Sequence, residues 1–345
     1  MDRSLLTRRG LLAAGIGGLI VPGALAQAGG RRQIRGRTFR GDRGNGIGGA
    51  GGEGLRAASG MRVQNCRFFD LGNGAIRIAD PVRGLIVEGC EASNMYRFLE
   101  DATEEGQAEA SLRDFVIRRI NATRLERGFL HLRYQSSRGL IEDVTALCKD
   151  SGGARYCVGF ALDDTAHDIT YRRCVAQGFR EVTREASSYW NGDGFSDERG
   201  NSQIRYVDCR ASDCTDGGFD LKSTDVVMIN CIARGNKRNF RLWSSGLLQG
   251  CESHEPVWRG GSGGKSHFSF HGDVGTYMLR QPKVTAPAGN TAPVLYFSTN
   301  QPAEVVIIDA QIDAPSAPLI QVEGGPQPVV RFIPDRGRQR IRTAS

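Results

Sequence analysis

Two neighbouring stretches decide the fold. The first is Asp216-Gly217-Gly218-Phe219-Asp220-Leu221, followed by Met228-Ile229-Asn230-Cys231; the second is Arg238-Asn239-Phe240-Arg241-Leu242, followed by Leu248-Gln249-Gly250-Cys251. In each, Phe and Leu stand two residues apart with a polar residue between them, so the apolar pair shares one face of a strand. In each, the next short strand ends on a cysteine. Working outward, the cysteine signal recurs at Cys66, Cys90, Cys174 and Cys209, with Ile120 and Val144 holding the same place in two further segments. Successive anchors are 20 to 35 residues apart. The companion Phe or Leu strand recurs as Ala75-Ile76-Arg77-Ile78, Leu130-His131-Leu132, Gly159-Phe160-Ala161-Leu162, Gly194-Phe195-Ser196 and His267-Phe268-Ser269-Phe270.

Repeats of this length, built from two or three short strands and Gly, Asn or Asp turns, predict an all-β fold: a right-handed parallel β-helix of about ten coils, from Arg31 to Gly325. Helical repeats need longer stretches of 3.6-residue period, and a propeller blade needs about 40 residues. Two segments, 97–113 and 179–188, read as short helical inserts on the solenoid surface. The six recurring cysteines predict a ladder of buried free thiols, since an odd total of 9 fits poorly with a disulfide framework. Cys148 and Cys157 are the pair best placed for a disulfide if one forms.

Composition agrees with this reading. The chain has 345 residues, 46 of them glycine and 39% hydrophobic. No Gly-X-Y period is present, which excludes collagen. The single long apolar run is N-terminal, which excludes a multi-pass membrane protein. Thr7-Arg8-Arg9-Gly10 precedes that run and Ala24-Leu25-Ala26 closes it, the pattern of a twin-arginine export signal over residues 1–26. The expectation is a periplasmic or secreted protein with no membrane contact after signal removal, a single β-helix domain over 27–330 and a solvated basic tail over 331–345. The formal net charge is +7. Export and the alternation of acids and bases argue against nucleic acid as a partner, and a mildly basic surface suits an acidic polysaccharide. A monomer is expected.

Polar residues crowd the Phe strands from Asp163 onward. Asp163 and Asp164 read as turn residues. Asp193, Asp216 and Asp220 fall at neighbouring coils, about 4.8 Å apart per step. Carboxylates stacked at that spacing repel unless a cation lies between them, and several oxygens suit calcium. Asn191-Gly192-Asp193-Gly194-Phe195, then Asp216-Gly217-Gly218-Phe219-Asp220-Leu221, then Arg238-Asn239-Phe240-Arg241-Leu242 resemble the calcium-site and base motifs of the family nine polysaccharide lyases. Gly217 stands where that family has a second carboxylate, and Arg241 where it has a lysine. The resemblance implies calcium-assisted β-elimination on a uronate polysaccharide. Calcium would be held by Asp193, Asp216 and Asp220, with Glu198 or Asp197 completing the set. The base would be Arg241, with Lys222 as the second candidate, and Trp243, Tyr189, Trp190 and His271 would contact sugar. His131 and Arg133 read as surface residues that would at most extend the groove. Two other readings stay open: a glycoside hydrolase on the same fold, and a non-catalytic glycan-binding β-helix.

Overall fold

The computed structural model describes residues 32–41, 52–181, 184–185, 187–272, 275–334 and 339–344. The signal-like segment 1–26 therefore lies outside the described residues. Every strand pairs in parallel with strands one coil away, and the chain winds into a right-handed parallel β-helix of about ten turns. Each coil contributes to three parallel stacks. The first stack holds the strands that precede the anchor, such as Ser202–Val207, Val226–Ile229 and Gly246–Gln249. The second holds those that follow it, such as Arg210–Ser212, Ile232–Arg234 and Glu252–His254. The third holds the Phe strands Val158–Leu162, Asp193–Asp197, Gly217–Leu221, Arg238–Leu242 and Ser266–Gly272.

The core is a set of ladders. Phe160, Phe195, Phe219, Phe240 and Phe268 stack ring on ring at 4.7 to 5.3 Å. Register explains the stack, because Phe195 pairs with Phe219 and Phe219 with Phe240. All nine cysteines are free and buried. Cys174 and Cys231 each point the thiol at a carbonyl of the preceding coil, Ile141 O and Tyr206 O, both at 3.4 Å. The residue just before each anchor turns the corner in the left-handed region: Asn65, Gly89, Arg119, Asp143, Arg173, Asp208, Asn230 and Gly250 all have φ between 51° and 66°.

Three expectations need correction. Among the described residues there is no helix. Segment 97–113 is the end of strand Glu91–Asp101, a short loop and the start of strand Ser111–Leu132, because Arg97 and Glu100 pair with each other and with charges of neighbouring coils instead of lining a helix face. In segment 179–188, the described residues are loop, with Glu181 bridging to Gly153. The basic tail is not a free end in its described part. Val329–Ile333 pairs with Glu304–Ile308, and Arg340–Ala344 pairs with Gln311–Pro318, so 331–333 and 340–344 belong to the last coil. Arg342 donates to Asp313 at 2.6 Å, which spends its charge on the solenoid.

Candidate acidic site on the phenylalanine sheet

The Phe strands carry their polar residues outward, and two adjoining coils bring three aspartates together there. Asp193 opens one strand, Asp216 sits in the turn before the next, and Asp220 occupies that strand's outward position. Their carboxylate oxygens lie within 4.8 Å of one another, and all three side chains are buried. Burial and the neighbouring Asp220 and Asp216 charges push the Asp193 carboxyl well above the usual carboxylate range. Burial acts on Asp216 too, but Arg238, Arg241 and Lys237 outweigh it and hold that carboxyl below the range.

Arginine answers two of the three acids. Arg238 donates to Asp216 Oδ1. Arg241 donates to Asp216 Oδ2 at 3.1 Å and to Asp220 Oδ2 at 3.4 Å. Tyr189 crosses the cluster from the preceding loop and donates its hydroxyl to Asp216 Oδ2 at 2.6 Å. Trp243 donates its indole N–H to Asp220 Oδ1 at 2.7 Å, and the Arg241 guanidinium lies 4.6 Å from the Trp243 ring centre. Asp193 takes the Gly217 backbone N–H at 2.5 Å, and no ion pair joins it to a cation among the described residues. Gly217 is required here by space: a Cβ at that position would stand 2.8 Å from Asp193 Oδ1 and 3.0 Å from Asp220 Cβ. The position the family resemblance fills with a carboxylate does point into the acidic group, and glycine leaves it open.

The other expected residues divide. Lys222 forms an ion pair with Glu198 and lies 5.9 Å from the Trp243 ring centre. Burial opposes its charge, but Asp220 and Glu198 raise its pKa on balance. Glu198 is thus engaged by Lys222 rather than grouped with the three aspartates. Asp197 points inward; its Oδ1 accepts the Lys222 and Ser223 N–H groups at 2.6 and 2.7 Å, and Tyr206 donates to Oδ2 at 2.9 Å. It occupies a core position, in register with Leu221, so it cannot complete a surface ligand set. Trp190 packs on the loop at Gly260 and Gly261 and donates to Glu185 O at 2.8 Å, which makes it a support for the loop that carries Tyr189.

His271 stacks beside Trp243 at 4.8 Å, and Tyr296 follows at 5.8 Å. His271 Nε2 is buried without a partner among the described residues. Burial and the Arg241 and Arg238 charges push its pKa down to about 3, so the ring is neutral. Arg238 and Tyr296 escaped the sequence reading. Arg238 opens a strand and looks like an ordinary turn-flanking base, and Tyr296 belongs to a coil with no acidic motif. Register would have exposed both, since Gly217 pairs with Arg238 and Ser269 with Tyr296.

Neither a protein-family model nor a curated protein sequence matches this chain. Solved structures do. The A-module of the mannuronan C-5 epimerase AlgE6 of Azotobacter vinelandii is similar over 89% of this chain and 91% of its own, at 13% identity and a TM-score of 0.51. A mutant DFA-IIIase of Arthrobacter chlorophenolicus A6 covers 90% and 84% at 10% identity, TM-score 0.48. Pectate lyase Pel9A covers 89% and 72% at 14% identity, TM-score 0.36. The likeness is one of fold: a parallel β-helix.

Proposed function

We propose that this protein is a polysaccharide lyase that cleaves a uronate-containing chain by calcium-assisted β-elimination. One observation carries the reading. Three buried carboxylates from adjoining coils meet within 4.8 Å on the outward face, and only two of them are answered by arginine. Burial first, and the Asp220 and Asp216 charges second, disfavour the charged form of Asp193, and a bound cation would relieve the second of these. The residues fit a hard divalent cation: Asp193, Asp216 and Asp220 would hold it, and substrate oxygens and water would complete the six to eight ligands calcium takes. When bound, such an ion withdraws electrons from the substrate carboxylate and makes the C5 proton more acidic.

The chain's own groups supply the rest. Trp243, backed by the buried neutral ring of His271, offers a ring surface to sugar, and Tyr189 covers the cluster from the other side. Arg241 is the proposed base, with Lys222 as the second candidate. The aspartates hold the Arg241 guanidinium charged despite its burial, so proton abstraction requires their field to be offset by a cation, and turnover should climb steadily toward alkaline pH. A lysine at this position has a lower intrinsic pKa. Arg241→Lys should therefore retain turnover, while Arg241→Ala loses it by about a hundredfold or more. Loss of turnover in Lys222→Ala with retention in Arg241→Ala would move the base assignment to Lys222.

Hydrolysis is a second reading, favoured by one observation: Asp193 is pushed up and Asp216 down, the split that assigns an acid and a base to two carboxyls. A panel of uronate polymers, with calcium and with chelator, separates the two. Unsaturated-uronate absorbance that requires calcium supports elimination. New reducing ends without that absorbance support hydrolysis and contradict the lyase.

A further inference from the structure

A second polar cluster shares the outward face. In register, the outward row runs Arg77, Glu100, His131, Ala161, Ser196, Asp220, Arg241 over successive coils. His131 thus stands about 14 Å from Asp220 at the strand spacing. The two residues between them, Ala161 and Ser196, are the smallest of the row.

The cluster is tightly built. Arg133 donates to His131 Nδ1 at 2.8 Å, so the ring proton sits on Nε2, which donates to Asp163 Oδ2 at 2.5 Å. Arg133 also donates to Glu100 Oε1 at 2.8 Å, and its backbone N–H reaches both Asp101 oxygens at 2.8 and 2.9 Å. Arg97 donates to Glu100 Oε1 at 2.6 Å, and Ser136 to Asp101 Oδ2 at 2.7 Å. Arg77, Arg97 and Arg133 face Glu100, Asp163 and Asp101 around the imidazole, and burial pushes the Asp101 carboxyl up to about 7, so the cluster carries no net charge only above that pH.

Burying charges in this way is expensive compared with an apolar row of equal volume. The solenoid does not require it, because the next two coils pass the same position with Ala161 and Ser196. Asp163 keeps its side chain 38% exposed, with Oδ2 taken by the imidazole and no hydrogen bond to Oδ1 from a described residue.

We propose that Asp163, His131 and Arg133 form a sugar-hydroxyl subsite, which binds the same polysaccharide chain some sugars away from the aspartate group. The exposed carboxylate accepts from one hydroxyl and the guanidinium donates to its neighbour, a pairing that a vicinal diol completes. Local neutrality makes the subsite a poor host for a uronate carboxylate. The inference rests on the polysaccharide reading and is independent of the elimination chemistry.

The test is the affinity of size-fractionated galacturonate and mannuronate oligomers for the full chain, measured by calorimetry. Wild type should gain about tenfold in affinity once the oligomer is long enough to reach from Asp220 to Asp163, about four sugars at this spacing. At pH 8, where Asp101 is ionised, that increment should be the same at low and high salt, since the subsite then has no net charge. Asp163→Ala should remove it and leave dimer and trimer affinities unchanged. Ala161→Phe, which raises the floor beside His131 on the path to the aspartates, should do the same. A merely structural network would lower the Tm of Asp163→Ala and keep the increment. An increment that survives both substitutions, or none in wild type with either oligomer series, overturns the subsite. An intact increment with no elimination product overturns the lyase reading alone.

Discussion

Asp193 concentrates the electrostatic tension of the molecule. Its folded pKa is raised, by burial first and by Asp220 and Asp216 second. A carboxyl with a raised folded pKa favours folding below the ordinary carboxylate range near 4, and that contribution is lost as pH rises through the folded value. In chelator, thermal stability should therefore fall from mildly acidic to mildly alkaline pH. Asp193→Asn should make that slope shallower, with the buried Asp101 and Asp197, pushed up to about 7 and about 6, supplying the remainder, and should raise Tm by a few degrees at pH 8. A slope unchanged by the substitution would mean that Asp193 is not the strained group. Gly217 is the complementary case. Gly217→Ala places a methyl against Asp193 Oδ1 and Asp220, and should cost about 1–3 kcal/mol in denaturant unfolding. The sequence motif located these residues, because Asp-Gly-Gly-Phe-Asp fixes which side chains share a face. It did not show that Arg238 and Arg241 already occupy two of the carboxylates, since that depends on register between coils.

At the scale of the single coil, the anchor cysteine was legible and the corner that precedes it was not. Cysteine is small, apolar and spaced by the coil length, so it stands out. The left-handed corner accepts Asn65, Asp143 and Gly250 but also Arg119 and Arg173, and arginine carries no turn signal. The helical inserts failed for a related reason: Glu and Ala content alone does not outweigh strands already templated by the coil before. Gly250 has φ +63°, and a Cβ there would lie 2.5 Å from Asn230 Oδ1. Gly250→Ala should thus destabilise by about 1–2 kcal/mol, whereas Asn230→Gly in the same kind of corner should be tolerated within about 0.5 kcal/mol. Denaturant midpoints of the two variants check the ranking; equal losses would contradict the corner's role. Thiol titration of the unfolded chain without reductant should find all nine cysteines, and a shortfall would mean a disulfide such as Cys148–Cys157.

The whole molecule is a solenoid with one sheet whose outward face is polar. Along that sheet the aromatic stack of Trp243, His271 and Tyr296 lies on one side of the aspartates, and the His131–Asp163 cluster lies on the other. Fold class and coil number were legible from repetition, which is a property of the entire chain. The second cluster on that face was not, because Arg77, Glu100, His131 and Asp163 come from four coils and look unremarkable in each. Among the described residues no helix is long and apolar enough to cross a membrane, and the export expectation rests on residues 1–26 alone.

A cation held by the three aspartates would stabilise the folded chain, and calcium titration followed by thermal unfolding measures that directly. Wild type should gain stability with calcium as RT ln(1 + [Ca²⁺]/Kd), and the gain should vanish in Asp193→Asn and Asp220→Asn. A Tm that calcium leaves unmoved, or a gain equal in the wild type and both variants, would contradict it.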